Sequence, residues 1–174
     1  ADALLQVRRD LVAYALDEDA SVAAKDLQHP RGIAVAGLGQ DGEDVRPLEA
    51  DAGFLFDVDA DRVAVADETG RAISEEVVLP LLAEYFLPRA EGRLVITNLS
   101  TSALIEEVAA RHGGRVLRVP VGRQATADAL ANHRPAQVAL AGEGTGAVML
   151  PRFRFVYDGL ASMFGILSLM HDRD

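Results

Sequence analysis

Apolar residues recur at helical spacing near the start of the chain, at Leu4, Leu5, Val7, Leu11, Val12 and Leu16, with Arg8, Arg9 and Asp10 between them. That period predicts an amphipathic helix over residues 2–17. His29-Pro30-Arg31-Gly32 and the stretch 37–44 hold turn residues around the short apolar run Ile33 to Leu38, which reads as one strand. From residue 53 the pattern sharpens. Gly53 to Phe56 is apolar, Asp57 to Arg62 is charged, and Val63 to Ala66 is apolar again before Asp67-Glu68-Thr69-Gly70, the order of a strand, an acidic loop, a second strand and a turn. Ser74 is placed to cap a helix whose first turn holds Glu75 and Glu76 and whose body runs to about Leu87, with Pro80 tolerable only in its first turns or at a kink.

Strand and helix then alternate three times. Arg93 to Thr97 reads as a strand, Ser102 to His112 as a helix ended by Gly113-Gly114, Arg115 to Val121 as a strand and Gln124 to Asn132 as a helix. Gln137 to Ala141 follows as a strand, Gly142 to Gly146 as a glycine-rich loop, and Asp158 to Met170 as the last helix. Alternation of this kind predicts an α/β fold with a mostly parallel sheet and flanking helices, its ligand loops gathered at the carboxyl ends of the strands. A boundary near residues 71–74 divides it from a shortened α/β segment, giving units of 1–72 and 73–174.

With 174 residues and 49% hydrophobic content the chain has enough apolar surface for a packed core. A formal charge of −10 makes a nucleic-acid partner a poor match, because such binding draws its affinity from clustered cations. Of 17 basic residues only Lys25 is lysine. There is no cysteine, so thiol catalysis, thiolate zinc sites and disulfides are excluded. No apolar run reaches the roughly 20 residues that span a bilayer, and Ala1-Asp2-Ala3-Leu4 lacks a basic segment followed by an apolar one, so the expected location is the cytoplasm, with no membrane partner.

Asp57, Asp59 and Asp61 alternate with Val58 and Ala60 directly after an apolar strand, so a tight loop can turn three carboxylates toward one point. At about 4 Å each pair of charges repels by roughly 4 kcal/mol at an effective dielectric of 20. A cation belongs there, and all-oxygen ligation selects a hard one such as Mg²⁺. An EF-hand would place Asp57, Asp59, Asp61 and Glu68 at loop positions 1, 3, 5 and 12, but Arg62 occupies the position that needs glycine and the flanks read as strands. Phe54-Leu55-Phe56-Asp57-Val58-Asp59 also resembles the strand and nucleophilic aspartate of haloacid-dehalogenase-type phosphatases. That family expects Thr or Val where Asp61 stands and a downstream lysine, whereas Lys25 lies upstream.

The run Asp57-Val58-Asp59-Ala60-Asp61-Arg62 resembles the metal loop D-x-D-x-D-R of the alpha-D-phosphohexomutases, the phosphoglucomutase/phosphomannomutase family. The resemblance implies that the three aspartates hold Mg²⁺ and that Arg62 lies close to a transferred phosphoryl group. Gly142-Glu143-Gly144-Thr145-Gly146, about 80 residues on, resembles the family's sugar-binding loop G-E-x-S/N/T-G, which implies that Glu143 and Thr145, with the Gly144 backbone, hold sugar hydroxyls. Val119-Pro120-Val121-Gly122-Arg123 is similar to its T-x-V-G segment with Val119 in place of Thr, and Arg123 is a candidate contact to phosphate or sugar. Tyr157-Asp158-Gly159 also fits the family pattern and reads as structural. The resemblance covers residues 51–170, the end of a second domain and all of a third of the middle-domain type. It implies a hexose phosphate as ligand, with missing enzyme domains or a second copy as protein partner.

No serine here stands in the family's T/S-A-S-H-N-P phosphoserine loop, and no R-x-S-G-T-type phosphate clamp is present. Two functions stay open: part of, or a shortened member of, a phosphohexomutase, inactive alone, or a non-catalytic module that binds metal and sugar phosphate or regulates. His29, His112, His133 and His171 have no ligand or triad spacing and receive no role.

Overall fold

The computed structural model describes residues 14–15, 33–37, 46–47, 51–67 and 71–172. The chain divides into two compact units, 1–74 and 75–174.

In the first unit, β2 (Ile33–Gly37), β4 (Ala52–Phe56), β5 (Val63–Ala66) and β6 (Ala72–Ile73) form a four-stranded sheet in the order β2-β4-β5-β6. β2 runs parallel to β4, while β4, β5 and β6 are successively antiparallel. β1 (Tyr14–Ala15) pairs antiparallel with β3 (Arg46–Pro47). This corrects the helix expected over 2–17 at its described end, where a long-range pairing overrides the local period; the rest of that stretch lies outside the described residues. β4 and β5 match expectation. Ala52, Gly53, Phe54 and Phe56 are buried, and the last register pair, Phe56 with Val63, leaves residues 57–62 as the connection of a hairpin. Asp67 closes the far end of β5, its Oδ1 accepting from Arg71 N at 2.9 Å. Residues 68–70 of the expected turn lie outside the described residues.

The second unit is built on a sheet of order β10-β9-β7-β8, from β7 (Leu94–Asn98), β8 (Arg115–Val119), β9 (Val138–Gly142) and β10 (Val148–Met149). β7 is parallel to both β8 and β9, and β10 returns antiparallel along β9. All five residues of β7 are buried, which requires cover on both faces. Leu94 and Ile96 point into a cluster with Leu130, Val138, Ala141 and Tyr157, roofed by α3 (Arg123–Ala131). The other helices are α1 (Val78–Phe86), α2 (Leu104–Arg111) and α4 (Gly159–His171), and α1 packs against α2, α4 and β9. Gly165 lets α4 approach α1, since a Cβ there would stand 2.6 Å from Leu82 Cδ2.

The start of α1 differs from expectation. Glu75–Val77 is a 3₁₀ turn, and the α-helix begins behind Val77 with no side-chain cap, so Ser74 does not cap it. Pro80, third in the helix, falls where a backbone N–H has no intrahelical acceptor. No helix among the described residues is long and apolar enough to cross a membrane.

Candidate functional site

The hairpin connection of the first unit brings Asp57, Asp59 and Asp61 together, one carboxylate oxygen of each lying within 4.8 Å of the others. A turn bond from Ala60 N to the Asp57 carbonyl (3.0 Å) tightens the loop, and Ala60 sits at φ 53°. That left-handed conformation costs about 1 kcal/mol for a residue with a Cβ. Arg62 folds back on the triad. Its backbone N–H donates to Asp57 Oδ1 (3.1 Å), its Nε to Asp57 Oδ2 (2.7 Å), and Nε lies 3.7 Å from Asp61 Oδ1. Burial pushes the Asp57 carboxyl up, but the Arg62 side chain and backbone N–H, Asp61 and the Arg62 charge together hold it below the usual aspartate range.

Three carboxylates and the Arg62 guanidinium meet at the loop. The donors are all oxygen, and their span is close to the roughly 4.2 Å across which a hard dication with ligands at about 2.1 Å reaches. The residues therefore fit a divalent cation such as Mg²⁺ after a contraction of a few tenths of an ångström. Asp59 is the exposed member.

In the second unit the chain leaves β7 for β8 on one side and then reaches β9 on the other side of β7. Such a reversal opens a crevice at the carboxyl ends of the two strands that part there, the usual ligand position in α/β sheets. The loops that meet there are 98–102 after β7 and 143–147 after β9. Gly144 N donates to Thr101 Oγ1 (3.0 Å), and Thr97 Oγ1 donates to the Gly142 carbonyl (2.8 Å). Asn98 Oδ1 accepts from the backbone N–H of Ser100 and Thr101, both at 3.1 Å. Arg118 of β8 clamps the first loop. Nη1 donates to the Asn98 (3.0 Å) and Thr101 (2.7 Å) carbonyls and Nη2 to that of Ser102 (3.2 Å), while Nε and Nη2 hold Glu106.

Glu76 accepts from Ser102 N at 2.6 Å, and a Cβ on Gly144 would lie 2.4 Å from its carboxylate. Only glycine passes there. Gly144 thus faces Glu76 and Thr101, while Glu143 is half-buried and Thr145 exposed. Tyr157 OH donates to Glu143 Oε1 (3.0 Å), and the Arg123 guanidinium lies 5.2 Å above the Tyr157 ring. Glu143 Oε2 accepts no hydrogen bond from the described residues. The glycine loop and Arg123 are therefore neighbours, joined by a tyrosine whose sequence setting reads as structural. Asp158 does keep a structural part, its Oδ1 capping α4 at Ala161 N (2.9 Å).

Burial first, then the Glu143 charge, push the Tyr157 phenol up to about 12, against the opposing pull of Thr126 and Arg123. The fold favours the neutral phenol, so its contribution is complete below the ordinary value of about 10 and is lost as pH climbs through 12. Tyr157→Phe is expected to cost about 1–2 kcal/mol near neutral pH through loss of the bond to a carboxylate. In urea unfolding the gap to wild type should narrow above pH 10; a gap unchanged from pH 8 to 11 refutes the contact.

Residues 74–174, the second unit with Ser74, match the phosphoglucomutase/phosphomannomutase alpha/beta/alpha domain III. The chain belongs to the phosphoglucomutase/phosphomannomutase family. A probable phosphoglucosamine mutase of Thermococcus gammatolerans is 32% identical over 141 residues, 81% of this chain and 30% of that protein. A phosphoglucomutase/phosphomannomutase of Thermococcus kodakarensis is 35% identical over 127 residues, covering 73% of this chain and 27% of its own length. The crystal structure of a phosphoglucomutase/phosphomannomutase family protein from Burkholderia thailandensis superposes with a TM-score of 0.60 at 27% identity, over 70% of this chain and 27% of that one. The chain thus spans 27–30% of the length of these family members.

Proposed function

We propose that this chain supplies the cation-binding and sugar-binding loops of a phosphohexomutase, an enzyme moving a phosphoryl group between hydroxyls of a hexose phosphate. The observation that carries the reading is the cluster at the carboxyl end of β9 in the family-matched domain, where Glu143, bonded through Oε1 to Tyr157, adjoins Thr145 and lies across Tyr157 from Arg123. Glu143 Oε2 accepts a sugar hydroxyl, the Thr145 hydroxyl donates to or accepts from a second, and Arg123 faces phosphate or sugar from across Tyr157. The names carried by the relatives, mutases of phosphoglucosamine and of phosphoglucose or phosphomannose, support the hexose phosphate class.

Asp57, Asp59 and Asp61 would hold Mg²⁺. Bound there, the ion supplies charge that neutralises phosphoryl oxygens in transit. Arg62, half exposed, exchanges Asp57 for a phosphoryl oxygen when one arrives. The aspartates keep that guanidinium aimed at the loop until then.

A cation that binds only the folded chain adds about 2.7 kcal/mol at a hundredfold excess over its dissociation constant. Melts with and without millimolar Mg²⁺ should show a rise in Tm for wild type and none for Asp59→Asn, which loses a ligand and one repelling charge. Glucose 1-phosphate should bind wild type and fail to bind Glu143→Gln/Thr145→Ala. Equal responses in wild type and variants refute the site assignments.

A further inference from the structure

At the amino edge of the parallel strands, opposite the crevice, lies a second cavity of about 600 Å³. Three arginines line it, and strand register explains why. Arg93 immediately precedes β7, Arg115 opens β8 and donates its backbone N–H to the Arg93 carbonyl (2.9 Å), and Arg134 precedes the turn that leads into β9. Gly92, Gly113 and Gly114 line the same cavity. Arg93 is anchored, its Nη1 donating to the His112 carbonyl (2.7 Å), and among the described residues the other N–H groups of the fork have no partner. Among the described residues neither Arg115 nor Arg134 has a carboxylate partner. The one acidic lining residue, Glu91, lies 3.8 Å from Arg152.

In a chain of net charge −10, a cavity lined by three arginines, none with a carboxylate partner among the described residues, calls for an anion. Guanidinium forks match phosphate oxygens bidentately. The volume falls in the range of about 300–1,000 Å³ typical of small-ligand sites, and the overall negative charge of the chain disfavours a polyanionic macromolecule. We propose that this cavity is a second anion site, taking a small phosphorylated molecule with two adjacent phosphoryl charges. Five-residue strands separate it from the sugar loop by about 16 Å, so both sites fill at once.

Inorganic pyrophosphate is the probe. In ¹H–¹⁵N titrations of the full 174-residue chain without divalent metal, the amides of Gly92, Gly113 and Gly114 should shift saturably, and NaCl at equal ionic strength should not reproduce the effect. Arg115→Gln and Arg134→Gln should each weaken binding about tenfold, the loss of one charge-assisted contact. Arg154→Gln, which removes a cation paired with Asp158 elsewhere, should leave it unchanged. Both cavity variants replace exposed side chains and should keep the wild-type Tm without ligand, so weakened binding is not unfolding. Linear shifts, shifts centred on 143–146, or wild-type affinity in either variant overturn the proposal.

Discussion

Arg118→Met should lower the stability of the second unit by about 2–4 kcal/mol, the largest loss expected of any single polar side chain there. Methionine keeps much of the volume but leaves the Asn98, Thr101 and Ser102 carbonyls without their donor and Glu106 without its bidentate partner. A hydrogen bond to a charged group contributes about 1.5–3 kcal/mol, yet the five contacts act as one unit and the side chain is 23% exposed, so water recovers part of the loss. Arg118→Lys should restore less than half, because an ammonium cannot reach carboxylate and carbonyls together. Glu106→Gln should cost less than 1 kcal/mol, since Arg118 keeps its carbonyls. The Arg118 hydrogen bonds hold the Glu106 carboxyl below its ordinary value of 4.5, so its contribution is present above that pH and is lost as pH falls. Urea unfolding at constant m-value measures all three. The same loop lines the crevice, so Arg118→Met should also weaken glucose 1-phosphate binding without touching the sugar. A variant within 0.5 kcal/mol of wild type contradicts the clamp.

The hairpin with its acidic loop is legible in the sequence because two apolar runs, Gly53 to Phe56 and Val63 to Ala66, bracket a charged one. The α/β alternation from residue 93 was legible for the same local reason. What local pattern could not show is pairing at a distance. Glu76 reads as a helix-dipole residue, yet its carboxylate serves Ser102, 26 residues on. Tyr157 reads as structural, yet it reaches Glu143 across 14 residues. Thr101 and its neighbours receive no reading from local pattern, although a run of turn-forming polar residues directly after an apolar strand is the signal for a crevice loop. β10 was missed because two residues, Val148 and Met149, are too few to carry a period. Arg62 reads as a phosphate neighbour by resemblance, and in the structure it pairs with the aspartates of its own loop.

The purified 174-residue chain, given Mg²⁺, glucose 1-phosphate and glucose 1,6-bisphosphate, should produce no glucose 6-phosphate at enzymatic rates of about 1–1,000 per second. Transfer between two hydroxyls of one sugar by the family's route needs a covalent phosphoryl carrier. None of the serines stands in the T/S-A-S-H-N-P loop that the resemblance requires, and Ser100, beside the crevice, has its Oγ committed to Asn98 Oδ1 at 2.9 Å. A cation on Asp57, Asp59 and Asp61 stabilises charge on a group that must already be positioned, and alone it supplies no carrier. Turnover that vanishes in Asp59→Asn would refute the expectation and would make Ser74, Ser100 and Ser102 the carriers to map by phosphopeptide analysis. The complementary trial adds a separate polypeptide bearing a phosphoserine loop and a phosphate clamp. Activity that appears on mixing, and disappears with Asp59→Asn or Glu143→Gln in this chain, assigns it the metal- and sugar-binding middle of the enzyme. Binding of both ligands without activity in any mixture makes it a non-catalytic module that kept the two loops.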